Sequence, residues 1–207
     1  MEIKKEISDA FYQNDVAIVA AIIILGVSLI LGFYLEPFVH SLLNPVVNEL
    51  EQQVQSGAIQ ITFHDIFLNN IRIVFTMYIF GIFACFSSII LAFNGFFTSY
   101  YIATVPDFLY SVLLVVPHGI FEFASCILAC AASFVLFNFI YKFIKELMTH
   151  RYCSAKYTVM YALDESYDKL KQSLILLAVA VVLMIIAGIV EVYCTVPIAN
   201  YIFQFIA

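Results

Sequence analysis

The chain has 207 residues, of which 64% are apolar and only 12% are charged, and its formal net charge is -6. A soluble domain is nearer half apolar and a quarter charged, so this composition excludes an ordinary water-soluble protein. It predicts a polytopic membrane protein with a single membrane domain over residues 1–207. The acidic balance gives no support for a nucleic-acid partner.

The first membrane crossing is predicted at residues 16–35. This apolar run has 20 residues, the length that a helix needs to cross about 30 Å of hydrocarbon. The alternative is a cleaved signal peptide, whose apolar region would be shorter and would precede a small-residue cleavage site. Glu36-Pro37-Phe38 follows instead, so we interpret the run as a retained helix. The polar segment 36–65 carries no lysine or arginine, and we expect a short amphipathic helix after Pro45.

Four further crossings are predicted at about 66–93, 96–116, 119–141 and 173–192. Asn94-Gly95 separates the second crossing from the third, and Pro106-Asp107 makes the third a broken helix of two halves. Irregular backbone at membrane depth is buried in protein or lines a wet cavity. Asn94-Gly95 therefore indicates either a cavity or an interfacial turn, and Pro106-Asp107 indicates a turn. The apolar tail is too short to span and is expected along the interface.

Positive charges predict the orientation of the chain. Lys4 and Lys5 lie at the N-terminus, and six of the other seven lysines and arginines lie in residues 142–172. Cytoplasmic segments carry an excess of Lys and Arg, so five crossings place both regions in the cytoplasm. The segment 36–65 and the C-terminus are then outside, and the chain is predicted to be a multi-pass protein of a cell membrane.

This topology brings the polar residues of the crossings to one depth. Asn69, Asn70 and Arg72 begin the second crossing, His118 and Glu122 begin the fourth, and Glu191 ends the fifth. These six residues therefore converge on the outer half of the bilayer, and Asn94 is counted with them. An ionisable side chain in lipid is costly and by default marks a functional site. We also expect Glu122 and Glu191 to approach Arg72. The residues of this polar cluster are Asn69, Asn70, Arg72, Asn94, His118, Glu122 and Glu191.

Two helix faces support the convergence. Residues at helical spacing form a stripe on the fourth crossing and another on the fifth, each with small side chains and one polar end. Small residues let membrane helices approach closely, so we expect both stripes to face the interior of the bundle. With the compact size they also favour a homodimer. The stripes are His118, Glu122, Ser125, Ala129 and Ser133, and Ser173, Ala180, Ala187, Gly188 and Glu191.

Three interpretations of the polar cluster stay open. In the first it is structural, with Arg72 paired to Glu122 or Glu191, because buried ions must be paired whatever their function. In the second, His118 and Glu122 at positions i and i+4 bind a divalent metal such as zinc. In the third, the cluster is a groove for a lipid headgroup or a partner helix. The sequence has no nucleophile elbow, phosphate loop or dinucleotide fingerprint, so an enzyme has little support.

Four sequence blocks carry a resemblance that covers residues 63–198. They are Phe63-x-x-Ile66-x-x-Asn69-Asn70, Phe93-Asn94-Gly95, Pro117-His118-Gly119-Ile120-Phe121-Glu122, and Ala187-Gly188-Ile189-Val190-Glu191 followed by Thr195 and Pro197. In these blocks the chain resembles the stage II sporulation protein M family of integral membrane proteins. The resemblance implies no established reaction. Sporulation members resemble non-enzymatic membrane partners of peptidoglycan-degrading proteins, and relatives occur in prokaryotes that form no spores.

The sequence therefore predicts an all-α polytopic membrane protein with about five transmembrane helices, one of them broken, and short interfacial helices. The predicted function is that of a non-catalytic integral membrane protein of the cell envelope. It would scaffold or assist a membrane complex, with the lipid bilayer, envelope proteins and a second copy as partners. The alternative is a membrane enzyme or transporter whose polar cluster binds a metal, a proton or a lipid headgroup.

Overall fold

The computed structural model describes residues 2–56, 63–149 and 155–206, and within these ranges every regular element is helical. This confirms the all-α prediction. Two helices have extensions: a short 3-10 turn, Phe80–Ile82, continues α4, and a π-helical turn, Glu191–Thr195, continues α7. The helices are α1 Glu2–Tyr12, α2 Asp15–Tyr34, α3 Glu36–Gln55, α4 Phe63–Ile79, α5 Ala84–Thr104, α6 Phe108–Thr149, α7 Ala155–Val190 and α8 Val196–Ile206.

Four of the described helices are long and apolar enough to cross a membrane. Lipid offers no hydrogen bonds to the backbone, so an apolar run must satisfy its own peptide groups, and a helix does so. A shorter apolar helix covers Phe67–Ile82. The chain is therefore a multi-pass membrane protein, and its first crossing was predicted within a residue of α2. The four long segments are Asp15–Tyr34, Cys85–Thr104, Phe108–Thr149 and Ala155–Thr195.

The prediction of one continuous crossing over residues 66–93 is wrong, because these residues form a helical hairpin of α4 and α5. The helical backbone stops at Phe83, which has φ -115° and ψ 87°. Just before it, Gly81 packs so tightly on α6 that an added Cβ would lie 2.4 Å from the Cβ of Ser133. The apolar sequence around the turn has no polar break. The contact with α6 therefore marks this turn, and no local signal in the chain predicts it.

Asn94-Gly95 lies inside α5, so the predicted helix end at this pair is wrong, and residues 96–116 are divided between the end of α5 and the beginning of α6. The glycine serves helix packing, because an added Cβ would lie 2.4 Å from Ser28 Oγ on α2. Gly32 of α2 makes an equally close contact with α5, since an added Cβ at Gly32 would lie 2.2 Å from the carbonyl oxygen of Phe96. Glycine pairs of this kind let two membrane helices approach closely. The signal interpreted as a turn or cavity is therefore a helix contact.

The predicted crossing 119–141 is the middle of the much longer helix α6, which passes through Pro117 without a break. Membrane helices tolerate proline because neighbouring groups satisfy the backbone that it frees. The turn before α6 is at Pro106-Asp107, as predicted. The carboxylate of Asp107 accepts a hydrogen bond from the backbone N–H of Tyr110 at 3.1 Å and caps the start of the helix.

Helices α6 and α7 pack antiparallel along their length and form the spine of the bundle. Ser125 Oγ donates a hydrogen bond to the carbonyl oxygen of Ala180 at 2.6 Å. Towards the other end, Ser173 Oγ donates to the carbonyl oxygen of Ala132 at 2.8 Å. The small residues of the two stripes are buried inside the bundle, as the predicted inward face requires. Those with no exposed surface are Ser125, Ala129, Ser133, Ser173, Ala180 and Ala187.

The remaining helices are ordered by their contacts with this spine. We call its two ends the Ser173 end and the Thr195 end. The hairpin turns at the Ser173 end, because the hydroxyl groups of Tyr78 and Ser173 are hydrogen-bonded to each other at 3.1 Å. Helix α2 starts at the same end, where the side chain of Asn14 bonds Gln172. The helices α2, α4, α5, α6 and α7 therefore alternate in direction along the bundle.

The two predicted polar segments are also largely helical. The segment 36–65 contains α3, which begins well before Pro45 and carries this proline in its interior. The segment 142–172 consists of the end of α6 and the beginning of α7. Residues 57–62 and 150–154 lie outside the described parts of these segments.

Candidate functional site

His118, Glu122 and Glu191 lie together between α6 and the end of α7. Two contacts bracket this site: Ser125 with Ala180 on one side, and His118 with Thr195 on the other. Glu122 lies between the two α6 residues, and Glu191 lies between the two α7 residues. Their carboxyl groups are close enough to interact electrostatically. This is the part of the predicted polar cluster that the fold brings together, and we call it the carboxyl site.

The imidazole of His118 joins α6 to the end of α7. Its Nδ1 lies 3.2 Å from the hydroxyl oxygen of Thr195, which is 4% exposed. The hydroxyl of Thr195 donates its own hydrogen to the carbonyl oxygen of Val190 at 3.1 Å. A hydroxyl has one hydrogen, so Nδ1 of His118 is the donor in the bond between the two side chains. In the neutral ring, Nε2 is then left as an acceptor.

Glu191 opens the π-helical turn Glu191–Thr195. Turns of this kind are rare in proteins, and those that occur are often found at functional sites. Its Oε2 atom is buried, and among the described residues it has no hydrogen-bond partner. An unpartnered polar atom inside a protein is unfavourable. Glu191 therefore has unused hydrogen-bonding capacity inside the carboxyl site.

Arg72 lies away from the carboxyl site, so the expected approach of Glu122 and Glu191 to this arginine does not occur. The inward face of α4 is occupied by Val74 and Met77, which are both 0% exposed. A residue two positions earlier in a helix points to the opposite side, and Arg72 is accordingly exposed. It forms no ion pair within the described part of the chain.

The three asparagines of the predicted cluster also separate. Asn94 lies on α5, where its Nδ2 is 3.9 Å from the Sγ of Cys126 on α6. Asn69 is exposed beside Arg72, and Asn70 is partly buried. The predicted cluster thus divides into the carboxyl site, a contact between α5 and α6, and an outward polar strip on α4.

The metal interpretation gains no support from this geometry. In residues 2–56, 63–149 and 155–206, no three His, Cys, Asp or Glu side chains are arranged to hold a metal ion. His118 and Glu122 were the expected ligands, and the bond to Thr195 already uses one nitrogen of the imidazole. A structural or catalytic zinc site needs at least three protein ligands.

A second polar network at the Ser173 end was missed in the sequence. Asn14 Nδ2 donates to Gln172 Oε1 at 2.9 Å, and Gln172 Nε2 donates to Gln13 Oε1 at 2.7 Å. Lys169 Nζ donates to Asn14 Oδ1 and to Gln172 Oε1, each at 3.0 Å. Asn14 and Gln172 are only 6% and 8% exposed, and partial burial lowers the pKa of Lys169. Asn14 and Gln172 each lie just before a predicted crossing, on the side predicted to be cytoplasmic. Their shared depth was the sequence signal that could have predicted this contact.

The network holds α1 against α7. Glu6 and Lys171 add an ion pair at 2.5 Å, and this hydrogen bond raises the pKa of Lys171. An open cleft of about 160 Å³ lies beside the pair. Its lining residues are Glu6, Asp9, Gln13, Asp168, Lys171, Gln172 and Ile175. Because the polar groups of the network pair with one another, we interpret it as a fastening for α1.

Comparisons with known proteins agree with the sequence blocks. The uncharacterized protein MJ0706 of Methanocaldococcus jannaschii is 33% identical over 141 residues, which are 67% of this chain and 58% of that protein. The chain thus spans less than two thirds of this relative. The uncharacterized protein MJ0793 of the same organism is 29% identical over 154 residues, 70% of this chain and 76% of that protein. No solved structure matches. The family described as Stage II sporulation protein M matches residues 16–196, and the chain belongs to this family.

Proposed function

We propose that this chain is a non-catalytic integral membrane protein of the cell envelope that scaffolds or assists a membrane complex. The hydrogen bond between His118 and Thr195 carries the proposal. In this bond, a residue of the Pro-His-Gly-x-x-Glu block links α6 to the end of α7. Side-chain hydrogen bonds between membrane helices stabilise a fixed arrangement, which is what a scaffold needs. The partners of this proposal are the bilayer, envelope proteins and a second copy of the chain.

The proposed orientation counts α4 as the fifth crossing. The alternating directions of α2, α4, α5, α6 and α7 then place the two termini on opposite sides. Lys4, Lys5 and the six positive charges in residues 142–172 put the N-terminus in the cytoplasm of a prokaryotic cell. The Thr195 end, with the carboxyl site, lies towards the outside, and so does the C-terminus.

The test separates assembly from chemistry. His118→Gln, Glu122→Gln and Glu191→Gln are introduced into the full chain in its own cell, and each variant is purified with its membrane partners. A scaffold keeps its cellular function in every variant that folds and still assembles the same complex. A variant that assembles normally but loses the cellular function would refute the proposal, because a chemical step at the site would then be required.

One observation favours a second function. Two carboxyl groups occupy one gap between helices, and the Oε2 atom of Glu191 has no partner among the described residues. Intramembrane carboxyl groups of this kind mark proton relays and polar ligand paths. Under this alternative, the carboxyl site carries a proton or binds a polar headgroup. Glu191→Gln would then abolish function without changing the assembly of the complex.

A further inference from the structure

The outward face of α4 combines exposed polar and apolar side chains that do not contribute to the core of the bundle. Its residues repeat at helical spacing, and all are exposed although they lie within an apolar helical hairpin. Three are polar and three are large and apolar. We define the α4 face by these residues, which are Asp65, Leu68, Asn69, Arg72, Phe75 and Ile79.

We infer that the α4 face binds a membrane-spanning helix of another protein that carries a carboxylate in the middle of its apolar run. The inference rests on the proposed function and names the kind of partner that the scaffold holds. It differs from the carboxyl site, because Arg72 points to the opposite side of α4 from the core residues Val74 and Met77.

Arg72 lies at the depth of the core. It precedes the fully buried Val74 by two residues and Met77 by five. The apolar stretch of this helix runs from Phe67 to Ile82, so Arg72 lies five residues after its start and ten before its end, about 8 and 15 Å at 1.5 Å per residue. Lysine and arginine in the first turn of an apolar helix can extend to the headgroups, but Arg72 lies beyond the first turn of this stretch.

No described side chain of the chain satisfies the charge of Arg72. Its guanidinium is always charged and offers five N–H donors in a planar fork. In the described parts of the chain its side chain forms neither an ion pair nor a hydrogen bond; only its backbone carbonyl accepts one, from Thr76 Oγ1 at 2.7 Å. A charge exposed to lipid at this depth is unfavourable, whereas a facing carboxylate satisfies two N–H groups at once.

A second copy fits the α4 face less well than a different protein. A symmetric membrane dimer has its axis along the membrane normal, so the Arg72 residues of two copies would face each other at the same depth. Like charges in a medium of low dielectric constant repel strongly. Asp65 lies on the same face, but it is seven residues away, about 10 Å along the helix. Leu68, Phe75 and Ile79 supply the apolar contacts around the ion pair.

The test uses the full chain reconstituted in vesicles of zwitterionic lipid at mildly alkaline pH. The probe is a synthetic leucine–alanine helix that spans the bilayer and carries one central glutamate, and its twin carries glutamine. Association is measured by energy transfer between labels on the chain and on the helix. We expect the glutamate helix to bind about tenfold more tightly than its twin, which is the scale of an intramembrane polar contact.

Three variants make the result specific. Arg72→Gln should remove the preference for glutamate, and Phe75→Ala should weaken the binding of both helices. Ile30→Ala, at an exposed position of α2, is the matched control and should change neither. Gel filtration and circular dichroism establish that each variant is folded. If Arg72→Gln does not fold, Arg72→Lys is used instead, and it should keep a reduced preference for the glutamate helix.

Several outcomes would overturn the inference. Equal binding of the two helices would do so, and so would a preference that survives in Arg72→Gln. Energy transfer between two copies that depends on Arg72 would assign the α4 face to a dimer. Loss of helix binding when anionic lipid is added would assign it to a lipid phosphate. Each of these leaves the proposed function standing, because that proposal fails only when an assembled variant of the carboxyl site loses function.

Discussion

Gly81→Ala tests whether the hairpin turn is held by its contact with α6. The new Cβ would lie 2.4 Å from the Cβ of Ser133 and 2.8 Å from its Cα. Separations below 3 Å cannot persist, and a backbone atom cannot rotate away, so α4 and α5 must move from α6. Overpacking of this kind lowers the free energy of unfolding by about 1–3 kcal/mol, and the backbone contact places this variant towards the upper part of that range.

The chain contains matched controls for this prediction. A Cβ added at Gly26 of α2 would meet nothing within 4 Å, so Gly26→Ala removes only the poor helix propensity of glycine. We expect it to leave stability unchanged or to raise it by up to about 1 kcal/mol. A Cβ at Gly119 would lie 3.4 Å from Val115 Cγ1, which is ordinary contact distance. Gly119→Ala should therefore be tolerated, although this glycine lies in the Pro-His-Gly-x-x-Glu block.

The assay is reversible unfolding of the purified full chain in mixed micelles, followed by circular dichroism. The expected order of stability is Gly26→Ala, then wild type and Gly119→Ala, then Gly81→Ala. If Gly81→Ala is as stable as Gly26→Ala, the turn is not held by this contact. The hairpin would then have to be stabilised by other contacts, and the reasoning from the close approach of Ser133 would be refuted.

Three further predictions concern the fastenings of the bundle and its orientation. Thr195→Val removes the acceptor for His118 and should lower the free energy of unfolding by about 1 kcal/mol, whereas Thr76→Val, at an exposed local bond, should have a smaller effect. Asn14→Ala should lower the melting temperature clearly because it leaves buried partners unpaired, but Glu6→Gln should barely change it near neutral pH, since surface ion pairs contribute little. Cysteine introduced at Lys145 should be protected from external thiol reagents in intact cells, and labelling there would overturn the orientation.

The pH dependence of the Glu6–Lys171 contact follows from the direction of one pKa. The hydrogen bond to Glu6 raises the pKa of Lys171 above its ordinary value. Its contribution to stability is therefore fully present below the ordinary lysine pKa and is lost as the pH rises through the raised value. The difference between wild type and Glu6→Gln should stay constant through neutral pH and disappear only in strongly alkaline solution. A difference that disappears near neutrality would contradict this assignment.

The division of the predicted polar cluster explains why periodicity succeeded in one place and failed in another. On α6 and α7, each stripe combined small residues with helical spacing, and these residues are buried as predicted. Arg72 was assigned to the same cluster from its depth alone. Depth follows from the position of a residue along a helix, but direction depends on which face packs inward. On α4 the apolar residues Val74 and Met77 occupy that face.

The amino-acid sequence by itself determined the class of this protein, its first crossing and the identity of its motif residues. Long apolar runs must form helices in lipid, and small residues at helical spacing must be where helices meet. Only the tertiary structure decided where the hairpin turns, because the chain around Phe83 is as apolar as its surroundings. Only the tertiary structure could turn Arg72 away from Glu122 and Glu191, since that direction depends on competition between two faces of one helix.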